Sequence, residues 1–202
     1  MPGLTWIVVL IKDFTHAKSR LAPMLAPESR RALAVAHAMR AVESAVQVAP
    51  TLAICGSVEA ATIAGSGGAD VVLEASPRDQ NSATALGVAE VIARDGNTAL
   101  ILSSDLPLVD AAALARMIQI AERVPGPVAV AAAALGRQGT NALYMRPLGG
   151  FDLHFGEASL PRFAEEARRR GRAFIRHDDP RLALDLDEPG DVAVWEQLRA
   201  AV

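Results

Sequence analysis

The feature that most constrains this chain is an alternation. Short apolar runs rich in β-branched residues recur between longer stretches with helical spacing, through about the first 125 residues. Thr5–Ile11 is continuously apolar, as expected of a strand buried on both faces. Pro27 opens a helical pattern to about Val48, in which Val35, Met39, Val42 and Val46 are spaced to share one buried stripe and Arg40 falls off it. Thr51–Cys55 reads as a second strand. Ser57 is placed to cap a helix to about Ala64, which Gly65-Ser66-Gly67-Gly68 ends. Val71–Leu73 and Thr98–Leu102 read as further strands, separated by a polar loop over Ser76–Asn81 and a helical pattern over Ser82–Arg94. Asp110 caps a helix to about Val124. Such alternation predicts a mainly parallel sheet with helices on both faces.

The second part is different. Pro127–Ala134 and Asn141–Met145 are neighbouring strands, followed by a helix over Leu160–Arg170 that Gly171 closes. Late strands are expected at Ala173–Arg176 and Leu182–Leu184, and Pro189 starts a terminal helix. Adjacent strands make the sheet mixed. No repeat, low-complexity tract or long linker divides residues 1–202, so one α/β domain is expected, and a chain 51% hydrophobic and 21% charged can fill its core.

Composition narrows the function. A net charge of −3 and 4% aromatic residues argue against a nucleic-acid partner. The single cysteine, Cys55, excludes an internal disulfide or a multi-Cys metal centre, and the four histidines lack zinc-ligand spacing. Leu4–Ile11 has no basic segment before it and meets Lys12 and Asp13 at once, unlike a signal peptide. No apolar run approaches the roughly 18 residues of a membrane span. A cytoplasmic protein acting on small molecules, without membrane or nucleic-acid partners, is expected. Oligomeric state is not legible, a homodimer being one option.

Open sheets of this kind bind ligands beyond the carboxyl ends of their strands, which singles out the loops after Ile11, Leu73, Leu102 and Met145. The first loop holds Lys12, Lys18, Ser19 and Arg20, and Lys12 and Lys18 are the only lysines among twenty basic residues. A local positive cluster suits polyphosphate. With no glycine between Gly3 and Gly56 it is neither a Walker A loop nor a dinucleotide fingerprint, and a merely solvated loop is the alternative. Ser103-Ser104-Asp105-Leu106-Pro107 directly follows the fourth strand, and either a divalent metal or a turn cap accounts for Asp105 there. Asp185 and Asp187 alternate along an extended segment with their carboxylates roughly 6–7 Å apart, close enough to grip Mg²⁺. Asp187 and Glu188 before Pro189 equally suit a helix N-terminus.

In order, Ala17-Lys18-Ser19-Arg20-Leu21, Asp105-Leu106-Pro107, Gly139-Thr140-Asn141-Ala142-Leu143, Phe155-Gly156-Glu157-Ala158-Ser159 and Asp185-Leu186-Asp187-Glu188-Pro189 form a series. That series resembles the 2-phospho-L-lactate guanylyltransferases over essentially the whole chain. The family includes phosphoenolpyruvate- and 3-phospho-D-glycerate-using members and serves biosynthesis of the deazaflavin coenzyme F420. The resemblance implies a nucleotidyltransferase fold like that of the glycosyltransferase A class and the molybdopterin guanylyltransferases. It also implies GTP and Mg²⁺ as co-substrate and cofactor, and transfer of GMP with release of pyrophosphate.

Carried over by residue, the resemblance makes Asp105, Asp185 and Asp187 metal ligands. Lys12, Lys18, Ser19, Arg20, Asn81 and Ser82 become GTP-binding positions, and Thr140, Gly156 and Ser159 hold the phosphorylated acid. Asp105, Lys18 and Arg20 would act at the reacting phosphates. The sequence departs from the family at Ser103-Ser104, where Pro-Ala or Val-Ala is common. It departs again at Asp79-Gln80-Asn81, in place of Gly-Leu-Asn, and at Glu188, in place of Thr. The competing readings are a sugar or molybdopterin nucleotidyltransferase, which usually carries a glycine-rich first loop, and an inactive nucleotide-binding module.

Overall fold

The computed structural model describes residues 4–77 and 79–201. Seven strands form one sheet: β1 (Trp6–Ile11), β2 (Thr51–Cys55), β3 (Asp70–Leu73), β4 (Ala99–Ser103), β5 (Val128–Ala133), β6 (Thr140–Arg146) and β7 (Ala173–His177). Their order is β3-β2-β1-β4-β6-β5-β7, and β6 alone runs antiparallel to its neighbours β4 and β5. The expected mixed, mainly parallel sheet is present.

Among the described residues there are seven α-helices: α1 (Pro27–Val46), α2 (Val58–Ser66), α3 (Gln80–Ala93), α4 (Ala111–Glu122), α5 (Ser159–Arg169), α6 (Pro180–Ala183) and α7 (Pro189–Ala201). Each central strand sends alternate residues to opposite faces. Ile7, Val9 and Ile11 meet buried residues of α1, α2 and α4, whereas Val8 and Leu10 share the other core with residues of α3 and α5. Helix α3 lies very close to the sheet because Gly87 carries no side chain. A Cβ there would stand 2.5 Å from Val8 Cγ1 and 3.2 Å from Ile54 Cγ1.

Four expectations need correction. Of the expected α1 stripe Val42 is fully buried and Met39 is exposed, and Ala34, Ala38, Ala41 and Ala45 supply most of the buried face. Small residues at most of these positions let the helix approach the sheet closely, while Val35 and Val46 pack partly buried against the same core. Helix α3 starts at Gln80, two residues early, because the Asp79 side chain accepts from the Ser82 N–H at 2.8 Å and caps it. Residues 182–184 are not a strand. Asp179 and Pro180 start a short helical turn, and the Asn141 amide donates to the Leu182 and Ala183 carbonyls at 3.0 and 2.9 Å. Lastly, β6 runs backwards, so the loop after Met145 lies at the amino edge of the sheet and the hairpin before Thr140 occupies the carboxyl edge instead.

Among the described residues no helix is long and apolar enough to cross a membrane.

Candidate active site

A cavity of about 410 Å³ opens at the carboxyl edge of the sheet. Its walls come from the end of β1, the loop over residues 12–20, the end of β3, the start of α3, and Ser103, Ser104, Asp105 and Asp187. Two short stretches after adjacent parallel strands thus face one space, as the carboxyl-edge rule requires.

Lys18 organises the cavity. Its backbone is left-handed, with φ 54° and ψ 36°, and leads into a single 3-10 turn over Ser19–Leu21. Its side chain is 5% exposed, and Nζ lies 2.8 Å from Asp187 Oδ1 and 3.5 Å from Asp105 Oδ2. Burial works against the ammonium charge, but Asp105 and Asp187 outweigh it and hold the Lys18 pKa above the ordinary lysine value. Burial likewise opposes ionisation of Asp105, yet the Lys18 charge keeps its pKa below the usual carboxylate range. The second oxygen of Asp105, Oδ1, is buried without a hydrogen-bond partner.

Asp185 stands slightly apart. Its carboxylate is bound by Arg137 at 2.8 Å, while burial and the nearby Asp105 charge push its pKa up to about 6. The three acids therefore feel one another electrostatically, but only Asp105 and Asp187 share a contact with Lys18. Among the described residues no three His, Cys, Asp or Glu side chains close on a common metal position.

Of the remaining expected residues three line the cavity, and Asn81, Ser82, Thr140, Gly156 and Ser159 do not. Lys12, Ser19 and Arg20 line the cavity, with Arg20 on the exposed rim, where it pairs with Glu188 at 3.0 Å. Thr140 begins β6 and Ser159 begins α5; both are buried, and both hydroxyl oxygens lack a hydrogen-bond partner. The α5 start is tied to the hairpin before β6 by the Leu160 N–H, which donates to the Gln138 carbonyl at 3.0 Å. Gly156, with φ 116°, faces open space where a Cβ would meet nothing. Asn81 does something sequence did not foresee. Its amide donates to the Phe155 carbonyl at 3.1 Å and its carbonyl accepts from the Phe155 N–H at 2.8 Å, pinning the loop that carries Gly156. Ser82 sits next to it in the first turn of α3.

Arg137 is the residue sequence reasoning missed. It sits at the tip of the β5–β6 hairpin and reaches Asp185 at 2.8 Å, Asp191 at 3.1 Å and Glu188 at 3.8 Å. Asp191 in turn accepts from the N–H groups of Asp187 and Glu188 at 2.9 and 2.7 Å, folding the acidic segment back on itself. The signal available was position alone: a charged residue between Gly136 and Gly139, immediately before the Thr140 motif.

An α/β sheet with a cationic loop, facing carboxylates and two unpartnered hydroxyls along one edge defines a nucleotidyltransferase-type enzyme. In overall fold the chain is similar to a nucleotidyl transferase from Methanothermobacter, with a TM-score of 0.66 and 16% identity over 98% of this chain and 99% of that one. In sequence it is 33% identical to the phosphoenolpyruvate guanylyltransferase of Rubrobacter xylanophilus, over 94% of this chain and 92% of the relative. It is 32% identical to the 2-phospho-L-lactate guanylyltransferase of Methanothermobacter thermautotrophicus, over 93% and 82%. Residues 5–195 match the family described as guanylyl transferase CofC like, and the chain belongs to that family.

Proposed function

We propose that this enzyme transfers GMP from GTP to a small phosphorylated three-carbon acid and releases pyrophosphate, as a cytoplasmic, Mg²⁺-dependent step of deazaflavin coenzyme biosynthesis. Phosphoenolpyruvate, 2-phospho-L-lactate and 3-phospho-D-glycerate are the acceptors considered. The observation that carries this reading is the Lys18 ammonium held between Asp105 and Asp187 at the wall of the cavity. The names of the relatives favour the guanylyl group and the acceptor class.

The residues present fit a magnesium ion. Asp105 offers a buried, unpartnered oxygen, and the neighbouring donors are carboxylates. Mg²⁺ characteristically takes one or two protein carboxylates, with water and substrate phosphate completing its shell, so an open set suits it better than a closed cage. Asp105 and Asp187 would hold it, with Asp185 beside them. Bound there, the ion supplies charge neutralisation at the phosphates.

The nucleophile is an oxygen of the acceptor phosphate, whose second pKa is about 6, so it is already ionised near neutral pH. No general base is needed. That oxygen forms a bond to the α-phosphorus of GTP as the bond to the β-phosphate oxygen breaks, and pyrophosphate leaves with the electron pair. Lys18, with Lys12 and Arg20 nearer the rim, offsets the repulsion between the two anions. Ser19 and Ser82 are assigned to the nucleotide side, and Asn81 acts through the loop it pins. The Thr140 and Ser159 hydroxyls and the Gly156 N–H would hold the phosphorylated acid at the positive end of α5 and aim it in line.

Pyrophosphate release measured with Mg²⁺ and GTP against the three acids and a panel of sugar phosphates tests this reading. Release with one of the acids is expected, and activity with sugar phosphates alone would overturn it. In the same assay Asp105→Asn should lower kcat by roughly 100-fold or more while the chain stays folded at the assay temperature, as circular dichroism would show. An unaltered rate would remove Asp105 from the site.

A further inference from the structure

The cavity has two chemically different ends. Lys12, Lys18 and Arg20 supply cations beside β1, facing Asp105 beyond β4. At the opposite end β3 delivers Glu74, whose backbone N–H extends the ladder to the Cys55 carbonyl at 2.9 Å. Between the Glu74 and Asp105 ends the sheet order is β3-β2-β1-β4, three interstrand spacings, or roughly 14 Å. That is the length scale of a nucleotide stretched from its phosphates to the far edge of its base. A triphosphate anchored at Lys18 therefore brings its base to Glu74, over an aliphatic floor of Leu10, Ile54 and Ala83.

Asp79 also lines this end, but one oxygen of its carboxylate already accepts from the Ser82 N–H. The Glu74 carboxylate forms no hydrogen bond or ion pair among the described residues. Partial burial and the neighbouring Asp79 charge both raise its pKa, so its charge is poorly compensated and gains from donors that a ligand brings.

An ionised carboxylate only accepts, through two oxygens side by side. Guanine presents two adjacent donors, N1–H and the N2 amine, along its Watson–Crick edge. Adenine and cytosine put a bare ring nitrogen at the corresponding place, and uracil has one N–H. We propose that Glu74 is the residue that reads guanine, its carboxylate accepting from N1–H and N2–H together. This rests on the cavity being the GTP site, and it adds the base specificity of that site.

Calorimetric titration of GTP, ITP and ATP, with Mg²⁺, into the wild-type chain and into Glu74→Gln and Glu74→Ala tests the proposal. ITP retains N1–H and lacks the N2 amine, which isolates half of the contact. The wild type should bind GTP most tightly, ITP less and ATP least. Both variants should weaken GTP by about 10- to 100-fold, weaken ITP less, and leave ATP no weaker, so that discrimination collapses. Thermal unfolding should come no earlier in either variant, because the carboxylate forms no hydrogen bond or ion pair among the described residues and its charge is poorly compensated. Discrimination persisting in both variants overturns the assignment of Glu74 while leaving the GTP site standing. Failure of the wild-type chain to bind any of the three overturns the GTP site, and this proposal with it.

Discussion

Lys18 and Asp187 lie 169 positions apart in sequence and 2.8 Å apart in space, joined by an ion pair whose lysine side is almost fully buried. The contact links the first loop of the chain to the segment leading into its last helix. Holding a lysine at φ 54° costs on the order of 1–3 kcal/mol, so the surrounding structure must impose that geometry.

Replacing that ammonium separates its two contributions. Lys18→Ala should raise the Kd for GTP at least about tenfold, because a buried charge partner is lost. Lys18→Gly relieves the left-handed backbone and yet should bind GTP as poorly as the alanine variant. Wild-type affinity in the glycine variant, measured by calorimetry, would show that the loop conformation matters and the charge does not.

Glu188 occupies Arg20, a cation assigned above to GTP. It pairs with Arg20 at 3.0 Å and approaches Arg137 at 3.8 Å, and both Arg20 and Glu188 are well exposed. Exposed pairs are worth about 0.2–1 kcal/mol, so Glu188→Gln should tighten GTP binding by no more than about fivefold. The gain should shrink in high salt, where the pair is screened. Weaker binding in the variant, at any salt concentration, would mean that Glu188 assists the nucleotide.

His37, on α1, makes stability depend on pH. Burial first, and the Lys18 charge second, lower its pKa from 6.5 to about 4. Between those values the unfolded chain binds the extra proton and the folded chain does not, so stability rises with pH. The contribution is fully present above pH 6.5 and is lost as pH falls towards 4, amounting to about 3 kcal/mol. Urea midpoints followed from pH 7 to pH 4 should fall more steeply for the wild type than for His37→Gln. Parallel curves would exclude His37 as the source.

Much of the fold is legible because buried parallel strands write continuous apolar runs, and β1, β2 and β4 are all of that kind. The α1 stripe is legible only in part, at Val42, since alanine at the interface and alanine at the surface look the same in sequence. The direction of β6 is equally hidden: a strand's residues do not say which way it runs, and that direction decides whether its leading or trailing loop reaches the site. Asp105, Asp187 and Lys18 stand out through position after strands and through rarity. Arg137 does not, because one arginine among eighteen carries no mark until the hairpin brings it to Asp185.

The double hydrogen bond between Asn81 and Phe155 makes α3, which flanks the proposed base end, and the loop assigned above to the acceptor one mechanical unit. Widening the recess for a bulkier base by sliding α3 outward would drag Gly156 along with it. Donor and acceptor preferences in this scaffold should therefore drift together when either is remodelled.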